Sequence, residues 1–180
     1  MNWTPFEFGG KTYDLTHLHP KTISYIQPAK GINPPRGYSI DVIFSLHCFT
    51  HGGENETPDP DLLYCDGRET RIFDFRRYAL SLQLPGIIDR LMTCKCFHTG
   101  KNNFFTVQII DEDGKKIDYE VYFTVSRSSK KGVLNLFIQS AYVRDPAHRL
   151  SRPKVKHWSQ IGFGIILYNT MNKIPIKVPK

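Results

Sequence analysis

No stretch of this 180-residue chain is apolar for long enough to cross a bilayer. Its longest runs, such as Ile165-Ile166-Leu167, fall far short of the roughly 20 residues that a spanning helix needs. The start, Met1-Asn2-Trp3-Thr4-Pro5-Phe6-Glu7-Phe8, lacks the basic segment and apolar core of a secretory signal. The expected setting is therefore the cytoplasm, with no membrane partner. Cysteine is scarce: Cys48, Cys65, Cys94 and Cys96 are all there is, and in that compartment thiols rather than bridges are expected. One residue separates Cys94 from Cys96 and the other two stand alone, so the paired spacing of a structural zinc site is missing. No metal and no cofactor is expected. Thr99-Gly100-Lys101 lacks the upstream glycine and the following hydroxyl residue of a phosphate-binding loop, which argues against a nucleotide triphosphatase. There is no internal repeat and no low-complexity tract.

What is present is a chain rich in rings and in positive charge. The 12 Phe and 9 Tyr favour strands. At this length roughly 70% of the unfolded surface can be buried, so folding needs no covalent staple. Lys and Arg number 24 against 17 Asp and Glu, a formal charge of +7. That excess favours polyanions, RNA above all, or an acidic protein surface.

The pattern predicts an α+β fold. Pro20, Pro28, Pro34 and Pro35 break up residues 1–37, an irregular N-terminal arm whose aromatics pack it onto a single domain spanning 38–180. Alternation predicts a strand over Tyr38–Phe49 and a short pair at Leu62–Cys65 and Thr70–Phe73. Residues 51–61 are expected to be a solvated loop. Asp74 is a helix cap, and Leu80, Leu84, Ile87, Ile88 and Leu91 form an apolar stripe. A helical segment over 74–93, kinked at Pro85 or split into two short helices with Pro85 in a first turn, and packed on one sheet face, is expected to be the one substantial helical region.

Three antiparallel strands follow between residues 104 and 143, and Gly162–Tyr168 is expected to add a last one. A three-residue loop, Glu112-Asp113-Gly114, pairs Val107 with Tyr119 and Phe105 with Val121, leaving Thr106 beside Glu120. The whole is a mainly antiparallel, twisted sheet.

Chemistry is expected on the polar face of those strands. RNA cleavage without a metal needs a base, an acid and cations for the phosphorane. Glu120 is the candidate base, His98 the candidate acid, and Arg127 in the loop Ser126–Gly132 the phosphate clamp. Cations with interleaved aromatics also suit single-stranded nucleic acid without catalysis. The residues expected to contact it are Lys101, Lys130, Lys131, Tyr142, Arg144, Arg149, Arg152, Lys154 and Lys156.

The order of helix, then antiparallel sheet, then a late strand Phe137-Ile138-Gln139-Ser140-Ala141-Tyr142 resembles the barnase-, EndoU-, colicin- and RelE-like ribonucleases over residues 74–143. Members often end a late strand on a small hydroxyl residue, a small residue and Tyr, which Ser140-Ala141-Tyr142 matches. The resemblance implies a toxin-like, metal-independent ribonuclease with His98, Glu120, Arg127, Ser140 and Tyr142 at its site, and a protein inhibitor as partner. The alternative expectation is a non-catalytic nucleic-acid-binding or protein-interaction accessory protein of stress-response or mobile-element origin.

Overall fold

The computed structural model describes residues 2–32, 34–52, 58–100, 103–143 and 159–177, with Asp111 and Glu112 described by backbone alone. It is an α+β protein built on a curled, mostly antiparallel sheet.

β1 (Phe6–Phe8) and β2 (Lys11–Tyr13) make a separate hairpin. β3 (Lys21–Gln27) then enters the main sheet as an edge strand against β4 (Arg36–Phe44). The arm is thus less irregular than its prolines predict. Pro20 and Pro28 bracket β3 rather than interrupt it, and an edge strand tolerates flanking prolines. After Phe44 the chain leaves strand geometry for a 3-10 turn at Leu46–Cys48, earlier than the expected end at Phe49. β5 (Thr50–His51), β6 (Leu63–Cys65) and β7 (Thr70–Phe73) form a small sheet ordered β5-β7-β6.

α1 (Phe75–Ser81) starts where Asp74 Oδ1 accepts the Arg77 backbone N–H at 3.0 Å. α2 (Leu84–Asp89) is a second short helix with Pro85 in its first turn, so of the two forms expected the segment takes the split one. β8 (Lys95–His98), β9 (Phe104–Glu112), β10 (Lys115–Arg127) and β11 (Val133–Val143) follow, then β12 (Gln160–Gly162) and α3 (Phe163–Met171). The main sheet is ordered β12-β8-β9-β10-β11-β4-β3. β11 and β4 run parallel, and its other pairs are antiparallel.

Two expectations fail here. Residues 163–171 are helical, not a strand. Phe163, Ile166 and Leu167 recur at helical spacing and all three are buried, so a run rich in Ile reads as strand by composition while its periodicity serves a helix. The second failure is the β9–β10 register. Glu112 pairs with Lys115, so the loop is two residues, Asp113 and Gly114, with φ of 51° and 74°. Two successive positive φ values make a type I′ turn. The register therefore slips by one from the expected pairing, and every side chain of β9 changes face.

The core lies between one face of the main sheet and the helices. Tyr38, Ile40 and Val42 of β4, Val121 and Phe123 of β10, and Leu134, Leu136 and Ile138 of β11 meet Leu84, Ile87, Ile88, Phe163 and Leu167. Phe6 of the arm hairpin stacks on Phe73 at 4.0 Å between ring centroids. Among the described residues, no helix is long and apolar enough to span a membrane.

Candidate functional site

The slipped register decides what Glu120 faces. Val107, not Thr106, lies directly opposite it on β9, and Tyr142 lies opposite on β11. The carboxylate is 1% exposed and accepts the Tyr122 hydroxyl at 2.6 Å. It is a buried, bonded group rather than an isolated surface carboxylate. Thr106 points the other way, into the core, where its Oγ1 donates to the Lys95 carbonyl at 2.9 Å and accepts from Gln108. A buried polar side chain at such a place has to be bonded, and this one is.

A bulge brings further residues to the face of Glu120. The β10–β11 register shifts between Tyr122 and Phe123: Phe123 pairs with Ile138, but Tyr122 pairs with Ser140. Gln139 is the extra residue. Ser140 and Tyr142 therefore stand on the same face as Glu120, where strict alternation along β11 puts them on the core side. The rings on this face stack in a row across four strands. Phe97 lies 5.4 Å from Phe105, Phe105 lies 5.3 Å from Tyr122, and Tyr122 lies 5.6 Å from Tyr142. The Arg77 guanidinium sits 5.3 Å from the Tyr142 ring.

The expected catalytic group does not assemble. His98 pairs with Phe104, which pairs with Phe123 on the core face, so the imidazole and the Glu120 carboxylate leave the sheet on opposite sides. His98 is 8% exposed, its Nδ1 accepts the Gly100 N–H, and burial pushes its pKa down. Arg127 is seven residues along β10 from Glu120, about 23 Å at strand rise. An acid, a base and a clamp that must meet on one phosphate are thus held apart by the sheet itself.

Arg127 belongs to a different grouping. β3 ends at Gln27 and β4 starts at Arg36, its partner in register; β10 ends at Arg127 and β11 starts beside Ser39. This gathers Lys30, Arg36, Arg127, Lys130 and Lys131 at one end of the sheet. Lys130 Nζ binds Asp41 Oδ2 at 2.9 Å. Arg127 and Lys131 are exposed and have no carboxylate partner among the described residues. The Arg36 guanidinium lies 4.3 Å from the Tyr168 ring centroid. Lys101, Arg144, Arg149, Arg152, Lys154 and Lys156 lie outside the described residues.

A cleft of about 720 Å³ opens where the parallel strands β4 and β11 part. Trp3, Ile43, Phe137, Gln139, Ser140 and the 45–47 turn line it, with Arg68 and Glu69 on its rim. Ile43 and Phe137 are neighbours in register and each is 37% exposed. On the rim, Glu69 is tied to His47 Nε2 at 3.0 Å and to Arg71 at 3.7 Å. Arg68 is held through Nε and Nη2 by Asp66 Oδ2, at 3.2 Å and 2.7 Å. With the Arg68 and Glu69 backbone N–H groups on its other oxygen, the Asp66 carboxyl is held down to about 2.

None of Trp3, Ile43, Ser45, His47, Arg68 or Glu69 stood out as a site residue in the sequence. They come from three separate segments, and no spacing links them; only the tertiary fold brings them to one place beside the end of β11. Among the described residues, no cluster of His, Cys, Asp and Glu has the grouping to hold a metal ion.

The profile of the YjaZ family matches residues 5–171 of this chain. Protein YjaZ of Escherichia coli (strain K12) is 33% identical over 181 residues, which cover 98% of this chain and 95% of that protein. No solved structure shows a significant match.

Proposed function

The chain belongs to the YjaZ family, and we propose that it is a non-catalytic binder of single-stranded nucleic acid, with cytoplasmic RNA as the partner. The carrying observation is the convergence of Lys30, Arg36, Arg127, Lys130 and Lys131 at one end of the sheet, where among the described residues one carboxylate, Asp41, neutralises one of them. Uncompensated cations on a rigid strand end attract phosphates and release counterions on binding. The overall charge of +7 acts in the same direction by drawing polyanions to the surface. The ribonuclease alternative has less support, because a general acid has to sit within hydrogen-bond reach of the reacting group, and His98 and Glu120 lie on opposite faces.

The test is fluorescence anisotropy with a labelled single-stranded RNA oligomer at several salt concentrations. Affinity is expected to fall steeply as salt rises. Each phosphate contact removed lowers the log–log slope by about 0.7, so the R127A/K131A double variant is expected to lower it by about 1.4. Binding that is flat across salt, or absent in the wild type, would remove nucleic acid as the partner.

A further inference from the structure

The cleft at the ends of β4 and β11 lies away from the cationic hairpin, yet the two are joined along one seam. A shallower hollow of about 280 Å³, lined by Lys21, Thr22, Asp41, Ile43, Lys130 and Asn135, shares Ile43 with the larger cleft. Along β11 the path runs from Val133, next to the hairpin, to Ser140 in the cleft. Seven residues of strand make this about 23 Å. The path begins at Lys130, which is paired with Asp41 and stands beside the exposed Arg127 and Lys131, and ends at Arg68, which is paired with Asp66.

Between those cations the side chains have the character that a base requires. Phe137 offers a ring 37% exposed with Ile43 beside it, a flat apolar floor. The groups around that floor keep unused hydrogen-bonding capacity. Gln139 accepts Asn103 Nδ2 on its Oε1 at 2.7 Å, and its amide hydrogens have no acceptor among the described residues. Ser45 Oγ accepts the His47 N–H at 3.2 Å and keeps its own hydroxyl hydrogen. Arg68 spends Nε and Nη2 on Asp66 and keeps Nη1. Trp3, 5% exposed in the cleft wall, has a buried indole N–H with no acceptor among the described residues. A volume of about 720 Å³ falls within the range that small-molecule sites occupy.

We propose that this cleft seats one unstacked base of the bound strand, its ring on Phe137, while the strand runs along the β4–β11 seam from Lys130 to Arg68. The seat, which rests on the nucleic-acid reading above, adds base stacking to phosphate attraction. Stacking on an aromatic ring tolerates any base and does not depend on salt as phosphate contacts do. Phosphate contacts and base stacking can therefore be separated by experiment.

Trp158→Phe leaves Trp3 as the sole indole, and titration of this variant with a single-stranded RNA oligomer is expected to change the Trp3 emission. Phe137→Ala in the same background is expected to weaken binding on the order of ten- to a hundredfold with the salt slope unchanged. Phe137→Leu keeps apolar area without a ring and is expected to lose nearly as much, while Phe137→Trp is expected to retain affinity. Urea midpoints of these variants establish that the fold is intact. If the wild type binds RNA with a steep salt slope but Phe137→Ala and Phe137→Leu bind as tightly, or the Trp3 emission stays still, the base seat is wrong and the cationic-end reading stands. If the wild type binds no RNA, both fall together.

Discussion

Glu120 illustrates how a single side chain changes meaning between sequence and structure. In a strand that alternates Tyr119, Val121 and Phe123 inward, a lone Glu looks like a solvated carboxylate available for proton transfer. Here it is 1% exposed and bonded to Tyr122 at 2.6 Å. Burial of a polar group is tolerated only when its partners are in place. At residue scale it fixes the hydroxyl of Tyr122, one of the four rings in the row from Phe97 to Tyr142. Tyr122→Phe removes one donor and leaves the ring. It is expected to cost about 1–3 kcal/mol of stability in urea denaturation, and a variant as stable as the wild type would show that the hydroxyl contributes nothing.

At the scale of elements, one turn decides which residues share a face. Asp113-Gly114 adopts the type I′ geometry that suits a tight hairpin, and that choice of two loop residues over three turns Phe105, Val107 and Ile109 away from the core. Thr106 and Gln108 go inward instead and bond one another. The turn dipeptide was visible in the sequence; the loop length was not, because Glu112 is acceptable either as a loop residue or as a strand end. Gly114 has φ of 74°, a conformation that a Cβ disfavours. Gly114→Ala is expected to lower stability by about 1–2 kcal/mol, measured by the same denaturation. No loss would mean that the turn relaxes into another form. The bulge at Gln139 is the second such device. Without it Ser140 and Tyr142 fall on the core side, as parity along β11 predicts.

At the scale of the whole molecule, charge and burial together set the response to acid. Burial pushes the pKa of His17 and of His98 below the ordinary 6.5. A depressed pKa means that the unfolded chain takes up the protons first, so the stability these groups contribute is present above pH 6.5 and is lost as pH falls through their folded values. Asp66 behaves in the same sense lower down: its carboxyl, held to about 2 from 3.8, contributes stability present above pH 3.8 and lost as pH falls through about 2. Urea midpoints are expected to drop in two stages on acidification. His98→Asn is expected to reduce the upper stage and Asp66→Asn the lower one. A midpoint constant from pH 8 to pH 5 in the wild type would contradict the histidine assignment.

Local chemistry was enough to determine the class of fold, the capped helical segment after Asp74, the strand content and the cationic character, because each depends on periodicity, turn residues or summed charge within a short window. Tertiary structure alone decided the face on which each β9 side chain lies, the separation of His98 from Glu120, and the cleft built from Trp3, residues 43–47, Arg68, Glu69 and the end of β11. Those outcomes depend on register and on the parallel pairing of strands nearly a hundred residues apart, and a one-residue slip or a bulge, which changes little in local preference, moves a side chain from one side of a sheet to the other.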